Sequence, residues 1–74
     1  MEKVIVQPEV SYSTVMLEVK KKYPCYKTVV GLQTYNEMML TISSQSMNPV
    51  RREQAYKRFW VSNELLYLFL HRIN

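Results

Sequence analysis

The sequence predicts an α+β fold, with a strand, a helix, a β-hairpin and a long helix in that order and the helices on one face of a short antiparallel sheet. Three observations support this prediction. A β-branched run occupies residues 3–7, apolar residues recur at helical spacing in two segments, and two β-rich runs lie between those segments. Because the chain has 74 residues, we expect one compact domain over residues 1–74.

The first two predicted elements are a strand and a helix. Residues 3–7 are mostly β-branched and apolar and are followed by Pro8, which favours a short strand. Apolar side chains then recur at helical spacing over residues 9–23, and Pro8 suits the start of a helix. The lysine run 20–22 falls in the last turn of this predicted helix, where positive charge is favourable beside the free carbonyl groups, and Pro24 then ends the helix.

The predicted hairpin lies in the middle of the chain. Residues 26–33 are rich in β-branched and aromatic types, and residues 38–44 alternate between two sets of side chains, as a strand does. Residues 34–37 supply the turn between them. The same region also fits one face of a helix, through Leu32, Tyr35, Met39 and Ile42, so a helix remains the alternative.

The last predicted element is a helix that begins at Asn48-Pro49. Asn accepts hydrogen bonds from free backbone N–H groups at a helix start, and Pro at the first helical position loses no hydrogen bond. The pattern continues to about Ile73 without Gly or Pro. One long helix and two shorter ones, the second capped near Ser62-Asn63, are both consistent with this segment.

Two apolar faces are predicted on this last helix. The broader face is assigned to the core and contains Tyr56, Phe59, Trp60, Asn63, Leu66, Tyr67, Leu70 and Ile73. The opposite side is charged in the first half of the helix and apolar in the second half, where it contains Val61, Leu65, Leu68 and Phe69. We interpret these four residues as an interface.

A chain of this length has little material with which to cover both faces of its own last helix. Burying four such side chains is worth roughly 1.5 to 3 kcal/mol each, which is comparable to the whole stability of a small domain. A symmetric homodimer is the leading explanation. A groove on a heterologous protein, or a fold that places the helix centrally, are the alternatives.

Net charge indicates an anionic partner. The ten Lys and Arg residues exceed the six Glu residues, which gives a formal charge of +4 and an isoelectric point near 9.4. Basic residues interleave with tyrosines over 20–27 and 51–58, a combination typical of nucleic-acid binding because cations neutralise phosphates and rings stack on bases. The candidate nucleic-acid-binding residues are Lys20, Lys21, Lys22, Lys27, Arg51, Arg52, Lys57 and Arg58.

Catalysis and metal binding are not predicted. Cys25 and His71 are the one cysteine and the one histidine, which leaves no disulfide, no metal site and no cofactor in the prediction. No orienting group or oxyanion site accompanies this pair, and one glycine cannot form a phosphate-binding loop. We therefore predict no catalytic residue.

Hydropathy predicts neither a secretory signal nor a membrane span. The apolar run near the amino terminus is shorter than the core of a signal peptide, and the longest apolar run, residues 65–70, is far below the roughly 20 residues of a span. We expect the protein in the cytoplasm, or in the host cytoplasm if the chain is virus-encoded.

Together these observations predict a small non-enzymatic regulatory protein. The leading hypothesis is a homodimer, joined through its last helix, that contacts nucleic acid or a nucleoprotein complex with a basic face. The alternative is an inhibitor or adaptor, for example a virus-encoded modulator of a host protein, that docks its apolar last helix on a partner.

Overall fold

A computed structural model describes residues 10–71, which form three helices: α1 (Tyr12–Lys22), α2 (Thr28–Gln45) and α3 (Pro49–His71). Residues 10–71 contain no strand, so the predicted α+β fold is wrong and this part of the chain is all-helical. The hairpin predicted over residues 26–44 is replaced by α2. The strand predicted at residues 3–7 lies outside the described residues.

Helix α1 begins at Tyr12, three residues after the start predicted at residue 9. Ser11 is in an extended conformation and its Oγ accepts a hydrogen bond from the Thr14 N–H at 3.1 Å, which caps the helix at Ser11. At the other end the Tyr23 N–H donates to the Val19 carbonyl at 2.8 Å, and Pro24 follows. The lysine run occupies the last turn, as predicted.

Helix α2 shows why the hairpin prediction is wrong. Leu32, Tyr35 and Met39 are buried on one face, at the spacing of the helical alternative. The helical penalty of a β-branched residue is at most about 0.7 kcal/mol, whereas burying a large apolar side chain gains roughly 1.5 to 3 kcal/mol. Burial of this stripe therefore outweighs the β propensity of its neighbours.

Helix α3 begins where the sequence predicts. The Asn48 Oδ1 accepts hydrogen bonds from the backbone N–H groups of Val50 at 2.9 Å and Arg51 at 3.2 Å. No break occurs at Ser62-Asn63, and α3 is one continuous helix as far as His71. Of the helices within residues 10–71, none combines the length and the apolar composition needed to cross a bilayer, so the prediction of no membrane span is confirmed for this part.

The three helices share one apolar core. Helices α2 and α3 run antiparallel, since the Arg52 guanidinium donates to the Ser46 carbonyl near the connecting loop while Asn36 contacts Ser62 farther along. Helix α1 crosses α2 at Gly31, where an added Cβ would lie 3.0 Å from the Val19 Cγ1. The buried apolar side chains are Val15, Val19, Leu32, Tyr35, Met39, Ala55 and Leu65.

The face of α3 that enters this core differs from the predicted face. Ala55, Ser62 and Leu65 are the buried residues of α3. Four residues assigned to the core are at least half exposed, namely Tyr56 (52%), Trp60 (51%), Tyr67 (62%) and Leu70 (52%). Phe59 and Leu66 are partly buried against the core, and Ile73 lies outside the described residues. The physical reason is the close approach of α2 and α3, which favours small side chains between them.

Candidate functional site

Four of the predicted nucleic-acid-binding residues line one groove of about 350 Å³. We call it the basic groove. Lys21 and Lys22 come from the last turn of α1, and Arg51 and Arg58 come from α3, about 30 positions later in the chain. The remaining lining residues are Glu18, Met38, Met39 and Ile42. The fold therefore joins parts of both basic segments, and it gives them an apolar floor.

Arg58 is held in the groove by a hydrogen-bonded cluster with α1 and α2. Its Nε donates to the Glu18 Oε1 at 3.0 Å and its Nη2 donates to the Glu18 Oε2 at 3.1 Å, a two-point geometry that fixes the guanidinium plane. The Tyr35 hydroxyl donates to the same Glu18 Oε1. This cluster links all three helices beside the groove.

The pKa shifts of the cluster follow from its partners. Burial disfavours ionisation of Glu18, but hydrogen bonds from Arg58 and Tyr35 outweigh burial and lower its pKa. The hydrogen bond to Glu18 raises the pKa of Arg58, although burial opposes it. Burial, followed by the hydrogen bond to Glu18, raises the pKa of Tyr35. At neutral pH the cluster therefore holds an ionised pair and a neutral tyrosine.

The cations of the groove are not equally available to a ligand. Arg58 is the ion-pair partner of Glu18. The Arg58 side chain is 23% exposed and the Glu18 side chain is 37% exposed. Lys21, Lys22 and Arg51 are exposed, and the part of the chain that the structure describes gives them no ion pair. The groove thus presents three exposed cations, of which Lys22 lies near enough to Glu18 to help lower its pKa, while the charge of Arg58 is paired with Glu18.

The other four predicted basic residues lie elsewhere. Arg52 donates to the Ser46 carbonyl at 2.8 Å and so ties the α2–α3 loop to α3. Lys57 is on the side of α3 away from the basic groove, together with Tyr56 and Trp60. Lys20 and Lys27 are exposed at the end of α1 and before α2, and neither lines the basic groove. The segment 51–58 is therefore divided between two sides of one helix.

An exposed aromatic surface runs along the outward side of α3. We define the aromatic face as Tyr56, Trp60, Tyr67 and Leu68. The Tyr56 and Trp60 rings are 6.0 Å apart in an edge-to-face arrangement, and the Tyr67 ring lies 4.0 Å from the His71 ring. Beside them the Tyr12 hydroxyl donates to the Glu64 Oε1 at 2.7 Å, a bond that raises the pKa of Tyr12.

Of the four predicted interface residues, Leu68 alone belongs to this exposed surface. Leu65 is only 6% exposed and belongs to the core of its own chain. Val61 and Phe69 are partly buried against that core. Leu68, at 44% exposure, is the one of the four that lies open to solvent. Apolar side chains do lie on the outward side of α3 as well as on its buried side, but the residues predicted for the two faces are largely exchanged.

A polar cluster that the sequence did not reveal joins α2 to α3. The Asn36 Nδ2 lies 2.8 Å from the Ser62 Oγ, 2.9 Å from the Asn63 Oδ1 and 3.2 Å from the Phe59 carbonyl oxygen. Ser62 has no exposed surface, and its Oγ also donates to the Phe59 carbonyl at 2.8 Å. One sequence signal could have placed Ser62 on the buried face of α3. Ala55, Ser62 and Phe69 are spaced seven residues apart and therefore lie on one face of a helix.

Cys25 and His71 give no sign of joint chemistry. Cys25 is exposed between α1 and α2, and His71 is exposed at the end of α3 against the Tyr67 ring. Within residues 10–71, no group of three His, Cys, Asp or Glu side chains is placed to hold a metal ion. The absence of catalysis stays a prediction.

Comparison with protein-family models, curated proteins and solved structures finds no significant match to this chain.

Proposed function

We propose that the protein is a non-enzymatic regulatory protein that binds nucleic acid, alone or within a nucleoprotein complex, through the basic groove. The observation that carries this proposal is the convergence of Lys21, Lys22 and Arg51 from two helices on one concave surface. Three exposed cations at one place act together on the repeated charges of a phosphate backbone, whereas scattered cations act singly.

The local charge balance supports an anionic ligand. Glu18 is the one carboxylate among the residues that line the groove, and its charge is neutralised by the two-point contact with Arg58. A phosphate near Lys22 therefore meets cations without competing with a free carboxylate. The Glu18–Arg58 pair is neutral as a unit, so the positive charge of the groove comes from Lys21, Lys22 and Arg51.

The floor of the groove suits contacts that do not depend on base sequence. Met38 and Met39 are unbranched and polarisable, and such side chains adapt to different flat or apolar surfaces. No aromatic residue lines this groove, although the Tyr23 hydroxyl donates to the Met38 sulfur at 3.8 Å from beside it. We therefore expect binding driven mainly by phosphates and sensitive to salt.

The test compares two variants that lose the same charge. Lys21→Gln/Arg51→Gln removes two cations from the groove, and Lys20→Gln/Lys27→Gln removes two exposed cations outside it. Anisotropy of a labelled strand of about 20 nucleotides, as RNA, single-stranded DNA and duplex, is measured at about 50 and 200 mM salt. We expect the groove variant to bind about tenfold more weakly and to lose about 1.5 from the slope of log K against log salt, at 0.7 to 0.9 per phosphate contact.

The matched control decides between the groove and net charge. We expect the Lys20/Lys27 variant to stay within about twofold of the parent protein, because those two cations lie outside the basic groove. Equal losses in both variants would assign binding to net charge alone. No binding of any of the three nucleic acids at the lower salt concentration would reject the proposed function.

A further inference from the structure

The apolar floor of the basic groove and the exposed cations of the groove belong to different helices. Met38, Met39 and Ile42 all lie on α2, whereas the three exposed cations come from α1 and α3. Met38 is 38% exposed and Met39 is only 7% exposed, so Met38 supplies the more accessible part of the floor. A ligand that fills the groove therefore meets positive charge and apolar surface together.

A hydrogen bond holds the Met38 side chain beside the cations. The Tyr23 hydroxyl donates to the Met38 Sδ at 3.8 Å, and Tyr23 directly follows Lys22 at the end of α1. Methionine has three rotatable side-chain bonds, and this contact restricts them before a ligand arrives. Its thioether also makes favourable contacts with aromatic rings. The floor is therefore suited to receive a flat ring.

The two forms of nucleic acid offer different surfaces to such a groove. In a duplex the bases are paired and stacked, so a protein meets phosphates, sugars and the edges of the base pairs. In a single strand the flat face of a base turns out beside its own phosphate, where side chains cover it. The single strand alone therefore presents a phosphate and the apolar face of a ring at the same place.

We propose that the basic groove selects single-stranded nucleic acid, with the face of one unpaired base against Met38 and its flanking phosphates beside the three exposed cations. This strand preference rests on the proposed function, because it concerns the same groove. The groove volume of about 350 Å³ is near the lower limit of ligand-sized clefts, which suits one nucleotide rather than several. Every base has a flat aromatic face, so the contact tolerates different sequences.

Salt distinguishes the floor from the cations. Both strand forms place phosphates beside the cations, but the salt slope is about 0.9 per phosphate contact for a duplex and about 0.7 for a single strand. With about three contacts, a fourfold rise in salt weakens duplex binding about twofold more than single-strand binding. The contact of a base with Met38 involves no charge and persists at high salt. We therefore expect the preference for the single strand to grow with salt.

The first measurement compares the two strand forms on the parent protein. A labelled DNA strand of about 20 mixed pyrimidines is titrated alone and annealed to its complement, at about 50 and 200 mM salt. At the higher salt concentration we expect the single strand to bind about three- to tenfold more tightly, a range that one contact between a sulfur and a ring supplies. At the lower salt concentration we expect this ratio to be about twofold smaller.

A pair of alanine variants tests the floor. Met38→Ala removes the thioether, and we expect it to weaken single-strand binding about three- to tenfold while duplex binding stays within about twofold. Leu40→Ala alters another exposed apolar residue of α2, which is 47% exposed and does not line the basic groove. We expect this control to leave the binding of both strand forms within about twofold. Circular dichroism establishes that each variant is folded.

An abasic strand separates contact with a base from the flexibility of a single strand. A strand of about 20 abasic nucleotides keeps the phosphates and the flexibility and lacks the ring faces. We expect it to bind the parent protein no more tightly than the duplex does at about 200 mM salt, and to be insensitive to Met38→Ala. An abasic strand that binds like the pyrimidine strand would overturn the contact between a base and the floor.

Two results would overturn the strand preference and leave nucleic-acid binding intact. The first is a duplex that binds as tightly as the single strand at about 200 mM salt. The second is a Met38→Ala variant that weakens the binding of both strand forms equally or of neither. Absence of binding by both forms at the lower salt concentration rejects the proposed function itself, so the two failures are distinguishable.

Discussion

The two sides of α3 differ in side-chain size, and the smaller residues are on the buried side. The inward side contributes Ala55, Ser62 and Leu65 to the interior, while the outward side carries Tyr56 and Trp60, each about half exposed. Hydrophobicity alone would bury the rings and expose the serine. The comparison teaches that helix packing geometry, rather than the apolar surface of each residue, decides which side of this helix is buried.

The contact between α2 and α3, which we call the seam and which includes Asn36, Ala55 and Ser62, explains which side of α3 is buried. The distance between packed helices depends on the side chains at their contact, and small residues permit a close approach. Ser62 at this seam satisfies its hydroxyl by donating to the Phe59 carbonyl and by contacting the Asn36 amide. A tryptophan in the same place would separate the helices and leave Asn36 without these partners.

The largest expected effect comes from placing the same charge on the two sides of α3. Leu65→Asp buries an unpaired carboxylate in the core, which is costly enough to unfold a chain of this size. Leu68→Asp, three residues later on the exposed side, costs less than about 1 kcal/mol. Urea unfolding followed by circular dichroism measures both. A folded Leu65→Asp protein would contradict the assignment of Leu65 to the core.

A smaller effect is expected when a small residue at the seam is enlarged. Ser62→Leu overpacks the contact of α2 and α3 and removes one of the three acceptors of the Asn36 amide, with an expected loss of about 2–4 kcal/mol in the free energy of unfolding. The control Ser13→Leu makes the same change at an exposed position of α1 and costs at most about 0.5 kcal/mol. Thermal unfolding compares the two. Equal stability of both variants would mean that the seam tolerates larger residues.

The smallest expected effect is the pH dependence that the Glu18 cluster contributes. Since the folded pKa of Glu18 lies below its ordinary value of 4.5, its stabilising contribution is present above that value and is lost as the pH falls through the folded pKa. The raised pKa of Tyr35 acts at the other limit, where stability falls as the pH rises above about 10.

Two glutamine variants separate this contribution from the general loss of stability in acid. We expect Glu18→Gln to flatten the decline in unfolding free energy below about pH 5, because the group that titrates there is gone. Glu53→Gln, which alters an exposed glutamate on the outward side of α3, keeps the decline of the parent protein. Urea unfolding at a series of pH values measures both curves. An unchanged decline in Glu18→Gln would exclude the cluster as its source.

Local signals in the sequence were sufficient where the physics is local. Asn48 caps α3 and the lysine run ends α1 as predicted, because caps and last turns depend on residues within four positions of each other. The segment 26–44 fitted both a hairpin and a helix. Its β-branched residues favour a strand individually, and only the burial of Leu32, Tyr35 and Met39 together makes it α2.

Long-range placement was beyond the sequence. Lys21 and Arg51 were both predicted to bind nucleic acid, yet nothing in their spacing shows that they share a groove while Lys57 lies on the far side of α3. Glu18 was not singled out at all, and Tyr35 was named only as part of the apolar face of the helical alternative. Their roles depend on Arg58, which is 40 positions from Glu18 and reaches it only because α1 packs across α3.

The sequence by itself determined the net charge, the end of α1, the start of α3 and the excess of apolar surface around α3, because each of these depends on composition or on near neighbours. The tertiary structure alone decided which side of α3 faces inward. That choice rests on how closely two helices approach, and the deciding residues are a serine and an alanine, which carry little hydrophobic signal of their own.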